Sequence, residues 1–391
     1  MSAMFLRHYL VTPAAICLVL AAVIFFGPLP ARVERHYNAV VPQGLLPISQ
    51  HALELTRSLT IVDLHADSLF WRRDLTERGT RGHIDFPRLR EGNVTVQVFS
   101  TVSQAPEGND TGRRASDFDR VTPLAIAQLW PVGTWRSNVQ RTLYQGARLE
   151  RWSNDSRNDL SLLRTRGDLE ALLRHRLDAP QALGGLLAVE GLHALDGKLE
   201  NLQQLYDAGF RMMGLAHLFD NEVAGSIHGL GRGGLTSLGR EVVQQMQRLG
   251  IAIDLSHASP QAIDETLALA TKPLVASHTG VRGTCDNNRN LSDHALQGIA
   301  ATGGVVGIGY WEAAVCGTSP RDIARAVRHA ASVMGIEHVA LGSDFDGAVT
   351  TAFDASHISQ VTQALIDAGF SDDEVRAVMG ANALRVLREV L

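Results

Sequence analysis

Eight short runs of β-branched or apolar residues recur along the chain, mostly separated by stretches with a helical pattern. They fall at 60–64, 94–100, 185–189, 212–215, 251–255, 274–276, 305–308 and 339–341. Eight strands alternating with helices are the pattern of an α/β fold closed into a (β/α)8 TIM-type barrel. The stretches "LENLQQLYDAGF", "SLGREVVQQMQRLG" and "SPQAIDETLALA" supply helices between strands, and a further helix is expected near 50–58. Ser371 with Glu374 three positions on is a capping box that should open the last helix. With 391 residues, 45% of them hydrophobic, there is chain enough for one barrel, which needs about 250. The organisation read from these signals is a hydrophobic segment at 1–31, a linker and lead-in helix at 32–57, and a barrel at 58–391. Residues 104–166 break the rhythm between the second and third strands and read as an insertion beside the barrel mouth.

A net charge of −5 and the absence of basic clusters argue against nucleic acid as a partner. From Tyr9 to Ala31 no residue is charged, which is about the length of a helix that crosses a bilayer. The apolar core of a cleaved signal peptide is usually about 7–15 residues, so the longer run reads as an uncleaved N-terminal anchor, with a cleaved leader or a buried soluble helix as the alternatives. Either way the expected location is outside the cytoplasm: anchored and facing the periplasm or exterior, or secreted. Cys17 lies in this run, leaving Cys285 and Cys316 as the pair open to a disulfide, or to remain as buried thiols.

Catalytic groups of such barrels sit at the C-terminal ends of the strands. Collected there are His65 and Asp67 in "DLHAD", Glu190 in "AVEGLH", His217 in "GLAH", His257 in "IDLSH", His278 in "VASH" and Asp344 in "GSDFDG". A lone His at a strand end is more often a hydrogen-bonded structural residue than a ligand. Six strand ends out of eight carrying an imidazole or an acid reverse that judgement. Imidazoles and carboxylates without thiolate suit zinc in an open catalytic site, and a carboxylate can bridge two ions. Two such ions share a hydroxide and polarise a carbonyl, chemistry that favours hydrolysis at neutral pH.

In order and spacing, "DLHAD", "HIDFPRLREGNV", "AVEGLHAL", "GFRMMGLAH", "GLTSLGREVVQQMQRLGIAIDLSHAS", "VASHTGVRGTCDNNRNLSD" and "GSDFDG" resemble the renal, or membrane, dipeptidases of the amidohydrolase superfamily. The resemblance runs from about residue 58 to 391 and is weakest over 104–166. It implies a zinc-dependent dipeptidase that tolerates D-residues at the C-terminal position. It also implies two zinc ions bridged by Glu190 and a hydroxide, one held by His65 and Asp67, the other by His257 and His278. His217 would meet the oxyanion, Arg289 in "NNRN" would hold the substrate's free carboxylate, and Asp344 would handle the proton. By the same resemblance Cys285 and Cys316 are bonded, and a homodimer is plausible. Asp63 is expected to support its strand end, Asp346 to yield to Asp344, His83 to pack or lie at the surface, and His193 to support the site. The loop "LFDNEVAGSIHG" keeps Asn221 but lacks the family's Trp, and "LREVL" has no counterpart to the lipid-anchor signal of mammalian members, so attachment is expected at the N-terminus. Lactone or cyclic-amide hydrolysis in the same barrel is the alternative activity, and a catalytically dead, tethered binding protein is the alternative class.

Overall fold

Parallel strands need crossovers, and this chain supplies a helix for nearly every one. The computed structural model describes residues 3–106 and 118–391, so part of the insertion read at 104–166 lies outside the described residues. Two helices, α1 (Ala3–Phe26) and α2 (Pro28–Tyr37), precede α3 (Gln50–Ser58), whose N-cap Ser49 accepts from the Ala52 N–H. Then come β1 (Ile61–Ala66), α4 (Phe86–Glu91) and β2 (Val94–Phe99). The insertion contributes α5 (Val121–Ala127), α6 (Asn138–Ser153) and a three-residue strand, β3 (Leu160–Leu162). The remaining strands are β4 (Leu183–Val189), β5 (Phe210–Gly214), β6 (Ala252–Asp254), β7 (Val275–Thr279), β8 (Val305–Ile308) and β9 (Val339–Leu341).

All pairings between these strands are parallel, and β2 pairs with both β1 and β4, which closes an eight-stranded barrel with β3 as an extra strand outside β4. Each of the eight expected runs is a strand. The sequence missed only β3, too short to carry a period. The barrel strands are buried along their whole length, as strands covered on both faces must be. Val62, Leu64, Val96, Val98 and Leu186 join Leu384 and Leu387 of the C-terminal helix in one apolar cluster.

The capping box at Ser371 is formed, but the helix it opens is interrupted at 377–381. There Gly380 lies against the start of β1, where a Cβ would sit 1.8 Å from the Thr60 carbonyl oxygen, so the chain must bend around the strand. Among the described residues no single helix is long and apolar enough to cross a membrane. The pair Ala15–Phe26 and Pro28–Tyr37, bent by 45°, has that length and composition together.

Candidate metal centre

Every second residue of a strand points the same way, so β1 sends Asp63 and His65 to one side, with Asp67 just past its end. Glu190 follows β4 directly, His217 and His257 lie three residues beyond β5 and β6, His278 is inside β7, and Asp344 lies three beyond β9. All eight side chains are buried. His257 and Asp344 hold φ of 64° and 60°, a left-handed backbone that non-glycine residues adopt at a cost and that recurs at functional sites. Gly347 makes room for Asp344, since a Cβ there would meet its Oδ1 at 1.9 Å.

Glu190 is the centre of the cluster. Its Oε1 lies 3.0 Å from His257 Nε2, 3.3 Å from His278 Nε2 and 3.7 Å from His65 Nε2, while its Oε2 is 3.3 Å from His217 Nε2. His65 Nε2 is in turn 3.5 Å from Asp67 Oδ2, and the Nε2 atoms of His257 and His278 are 2.9 Å apart. Three overlapping groups fit around an ion: His65, Glu190 and His278; Glu190, His217 and His257; His65, Asp67 and Asp344. The five residues singled out as ligands are thus brought together. His217 and Asp344 stand at ligand distance as well, and geometry alone does not separate their roles from ligation.

The donor set fits divalent cations. Ligand bonds of about 2.0–2.1 Å in a tetrahedron space the ligand atoms about 3.3 Å apart, close to the distances around Glu190. His65 Nε2 and Asp67 Oδ1 are buried without a hydrogen-bond partner among the described residues. The electrostatics point the same way. Burial raises the Asp344 carboxyl to about 8, with repulsion from Asp67 and Asp63 adding to it against His65 and Arg289. Glu190 is raised by burial and Asp67. Burial alone would lower His65, but Asp67, Glu190 and Asp344 together outweigh it and raise it to about 10. These crowded carboxylates hold a proton on the His65 imidazole.

The ring nitrogens facing away from Glu190 are committed. Ser277 Oγ donates to Asp254 Oδ2 at 2.5 Å, which leaves its lone pairs for His278 Nδ1 at 2.9 Å and His65 Nδ1 at 3.2 Å. With Nδ1 protonated on both rings, Nε2 is the nitrogen left to face a cation, on His65 once a cation displaces its second proton. His257 Nδ1 lies 3.1 Å from His228 Nε2, and burial lowers His228 to about 3, keeping it a neutral acceptor. Burial, joined by Arg289 or neighbouring imidazoles, also holds His217, His257 and His278 well below their ordinary value, so they are neutral, as ligation requires.

Arg289 is no surface loop residue. Burial puts it beside the cluster, its Nη2 donating to the His278 carbonyl at 2.8 Å and lying 3.3 Å from His257 Nε2. Its loop is fastened by Asn290, which donates to the Cys285, Ala313 and Ala314 carbonyls, and by a disulfide between Cys285 and Cys316. Asp346 is turned away from the cluster and accepts from Ser68 Oγ, Arg73 and the His83 N–H. His83 is buried, so it packs under this loop and is not at the surface. His193 stacks 6.5 Å from His217, and neither of its ring nitrogens has a partner among the described residues. Asp63 accepts from the Ser343 backbone and hydroxyl, supporting the strand ends. Asp254, Ser277 and His228 escaped the sequence reading. The two Ser-His pairs, "LSH" and "ASH", were the available signal for the serines, whereas nothing in "GSIHG" marks His228 as a partner of His257.

A cavity of about 770 Å³ opens above Glu190, Asp344 and Arg289. Among curated proteins, an uncharacterized dipeptidase of Schizosaccharomyces pombe is 29% identical over 364 residues, covering 87% of this chain and 82% of that one. Mouse dipeptidase 3 is 29% identical over 365 residues, covering 88% and 67%. Among solved structures, the probable dipeptidase PvdM of Pseudomonas aeruginosa superposes with a TM-score of 0.72 at 22% identity, over 87% of this chain and 98% of that one. A Rhodobacter sphaeroides metallopeptidase liganded with a phosphinate mimic of L-Ala-D-Ala does so at 0.67 and 22%, over 85% and 99%. These structures share the fold. The family profile of the membrane dipeptidases, peptidase family M19, matches residues 49–391. The chain therefore belongs to the membrane dipeptidase family and is a metal-dependent dipeptidase of it.

Proposed function

We propose that this enzyme binds two zinc ions and hydrolyses the single peptide bond of dipeptides, accepting either hand at the C-terminal residue. The observation that carries the reading is the convergence of His65, His257 and His278 on one oxygen of Glu190, with Arg289 beside them under the cavity. His65 and Asp67 would hold one ion and His257 and His278 the other, with Glu190 between. When bound, the ions supply a Lewis acid for the carbonyl and a water acidic enough to ionise near pH 7.

The chain's own groups do the rest. Arg289 offers a planar fork to the free carboxylate of the substrate, which limits the substrate to two residues. Neutral His217 stands where it can donate to the oxygen of the attacked carbonyl. Asp344, grouped with His65 and Asp67 at the edge of the cluster, is placed to take a proton from the attacking water and return it to the departing amine. A soluble face outside the cytoplasm, with α1 and α2 as the membrane attachment, and a homodimeric state complete the proposal.

The test is the full chain, purified in detergent with zinc, on L,L and L,D dipeptides and their C-terminal amides. Free dipeptides should be cleaved and amides spared, and Arg289→Ala should lower kcat/KM on dipeptides by roughly 10²–10³-fold. Equal turnover of amides, or of lactones, would refute the carboxylate clamp and favour the rival amidohydrolase chemistry.

A further inference from the structure

We propose that the N-terminal helix pair is a wall of the active site and makes the enzyme select dipeptides whose N-terminal residue carries a large apolar side chain. The inference rests on the dipeptidase reading above. The cavity that holds Glu190, Asp344 and Arg289 is also lined by Phe25, Leu29, Val33 and Tyr37. These four follow one another at intervals of four residues, a single stripe running along α1 and α2 across the bend. All four are half-buried, whereas Leu18, Val19 and Val23 on α1 are more than 60% exposed. One stripe of the pair faces the site while other apolar residues of α1 are left bare.

The strand order sets the direction of the wall. Around the ring β1, β2, β4, β5, β6, β7, β8, β9, the strand opposite β7 is β2. Arg289 lies beyond β7. Val121 and Leu124 lie on α5 beyond β2, where α5 packs against α1 and α2, and Trp71 follows β1. A dipeptide with its carboxylate at Arg289 and its carbonyl over Glu190 therefore sends its N-terminal residue across the mouth toward Phe25, Leu29, Val33, Trp71, Val121 and Leu124. Those side chains can reward only apolar surface.

The wall is fastened to the catalytic loop. Glu34 of α2 is 1% exposed and pairs with Arg73 Nε at 2.6 Å and Arg81 Nε at 2.5 Å. Arg73 also pairs with Asp346, two residues beyond Asp344. Asn38 Oδ1 accepts from the Ala348 N–H at 2.8 Å in the same loop. The helix pair is thus wired into the barrel mouth, and Phe25 and Leu29 belong to the working enzyme.

Two measurements on the zinc-loaded full chain in nanodiscs test this: kcat/KM for Phe-Ala, Leu-Ala, Gly-Ala and Asp-Ala, and Kd for phosphinate mimics of Phe-Ala and Gly-Ala. Phe-Ala should exceed Gly-Ala by about 10–200-fold in kcat/KM, the range set by apolar pocket contacts, and the mimics should differ in the same sense. Phe25→Ala and Leu29→Ala should each cut the Phe/Gly ratio several-fold. Val33→Trp, which fills the cavity, should depress Phe-Ala more than Gly-Ala, a selective change that misfolding does not produce. A ratio near one in the native chain, or one that none of the three variants moves, overturns the inference while Gly-Ala turnover leaves the dipeptidase reading standing. Failure to cleave any dipeptide sinks that reading and this inference with it.

Discussion

Ser277→Ala isolates what the buried support of the metal centre contributes. The hydroxyl joins four groups: it donates to Asp254, lies 3.3 Å from Ser256 Oγ, and accepts from the Nδ1 of His278 and of His65, one ligand from each proposed ion. Removing it leaves both rings free to change tautomer and to turn, and loss of such a partner typically weakens metal binding by about 10–100-fold. At about 1.4 kcal/mol per tenfold, that is about 1.4–2.8 kcal/mol of metal affinity. The metal-free fold should lose less than the about 3 kcal/mol upper value for a hydrogen bond to a charged group, because Asp254 keeps the N–H donors of Ser256 at 2.9 Å and Ser277 at 2.8 Å.

Ser343→Ala is the matched control. Its hydroxyl is equally buried and donates to Asp63 at 2.5 Å, but its other contacts among the described residues are the His65 carbonyl and the Phe345 N–H, which it accepts at 3.1 Å, and no imidazole nitrogen. The assay is zinc affinity by competition with a chelating dye, set beside chemical unfolding of the metal-free proteins. Ser277→Ala should lose at least tenfold in zinc affinity, and Ser343→Ala clearly less, at similar unfolding free energies. Equal affinities for the two variants would refute the argument that Ser277 fixes the tautomers.

Three further outcomes follow from charge and covalent structure. Without metal, His65 contributes stability that is complete below its ordinary 6.5 and lost as pH rises toward about 10, and Asp344, raised from 3.8 to about 8, becomes progressively unfavourable over that interval; metal-free protein should therefore melt lower at pH 8.5 than at pH 6, and added zinc should reverse the trend, as differential scanning fluorimetry would register. Reduction of Cys285–Cys316, which closes a separation of 31 residues, should cost up to about 3–4 kcal/mol in unfolding experiments and raise KM by loosening the Arg289 loop. Glu34→Gln leaves Arg73 and Arg81 short of a buried carboxylate and should cost about 3–5 kcal/mol, readable in the same unfolding assay; a loss below 1 kcal/mol would refute the fastening of α2 to the barrel.

Much of the barrel, and which residues gather at its mouth, was legible because both follow from local rules. Each strand is a short apolar run, and each proposed ligand stands at or just beyond the end of one, so position along the chain was also position at the mouth. Support of the proposed ligands was not legible, because it depends on which side chains of neighbouring strands meet. Ser277 serves His65, 212 residues away, across the barrel, and His228 serves His257 from a loop with no period at all. The partner of His83 was hidden for the same reason: its contact with Asp346 spans 263 residues.

The N-terminal run shows a different kind of gap. An uncharged stretch of this length reads as a membrane segment whatever it packs against, since hydropathy averages around the helix and is blind to its faces. The contacts of α1 and α2 separate those faces. Phe25, Leu29 and Val33 meet the cavity, and Glu34, one residue later, enters a buried ion pair that an unpacked membrane span could not accommodate at comparable cost. A segment that only tethered the enzyme would have no use for a buried carboxylate tied to the loop of Asp344. The same residues that make the run look like an address are, on one side, part of the enzyme's mouth.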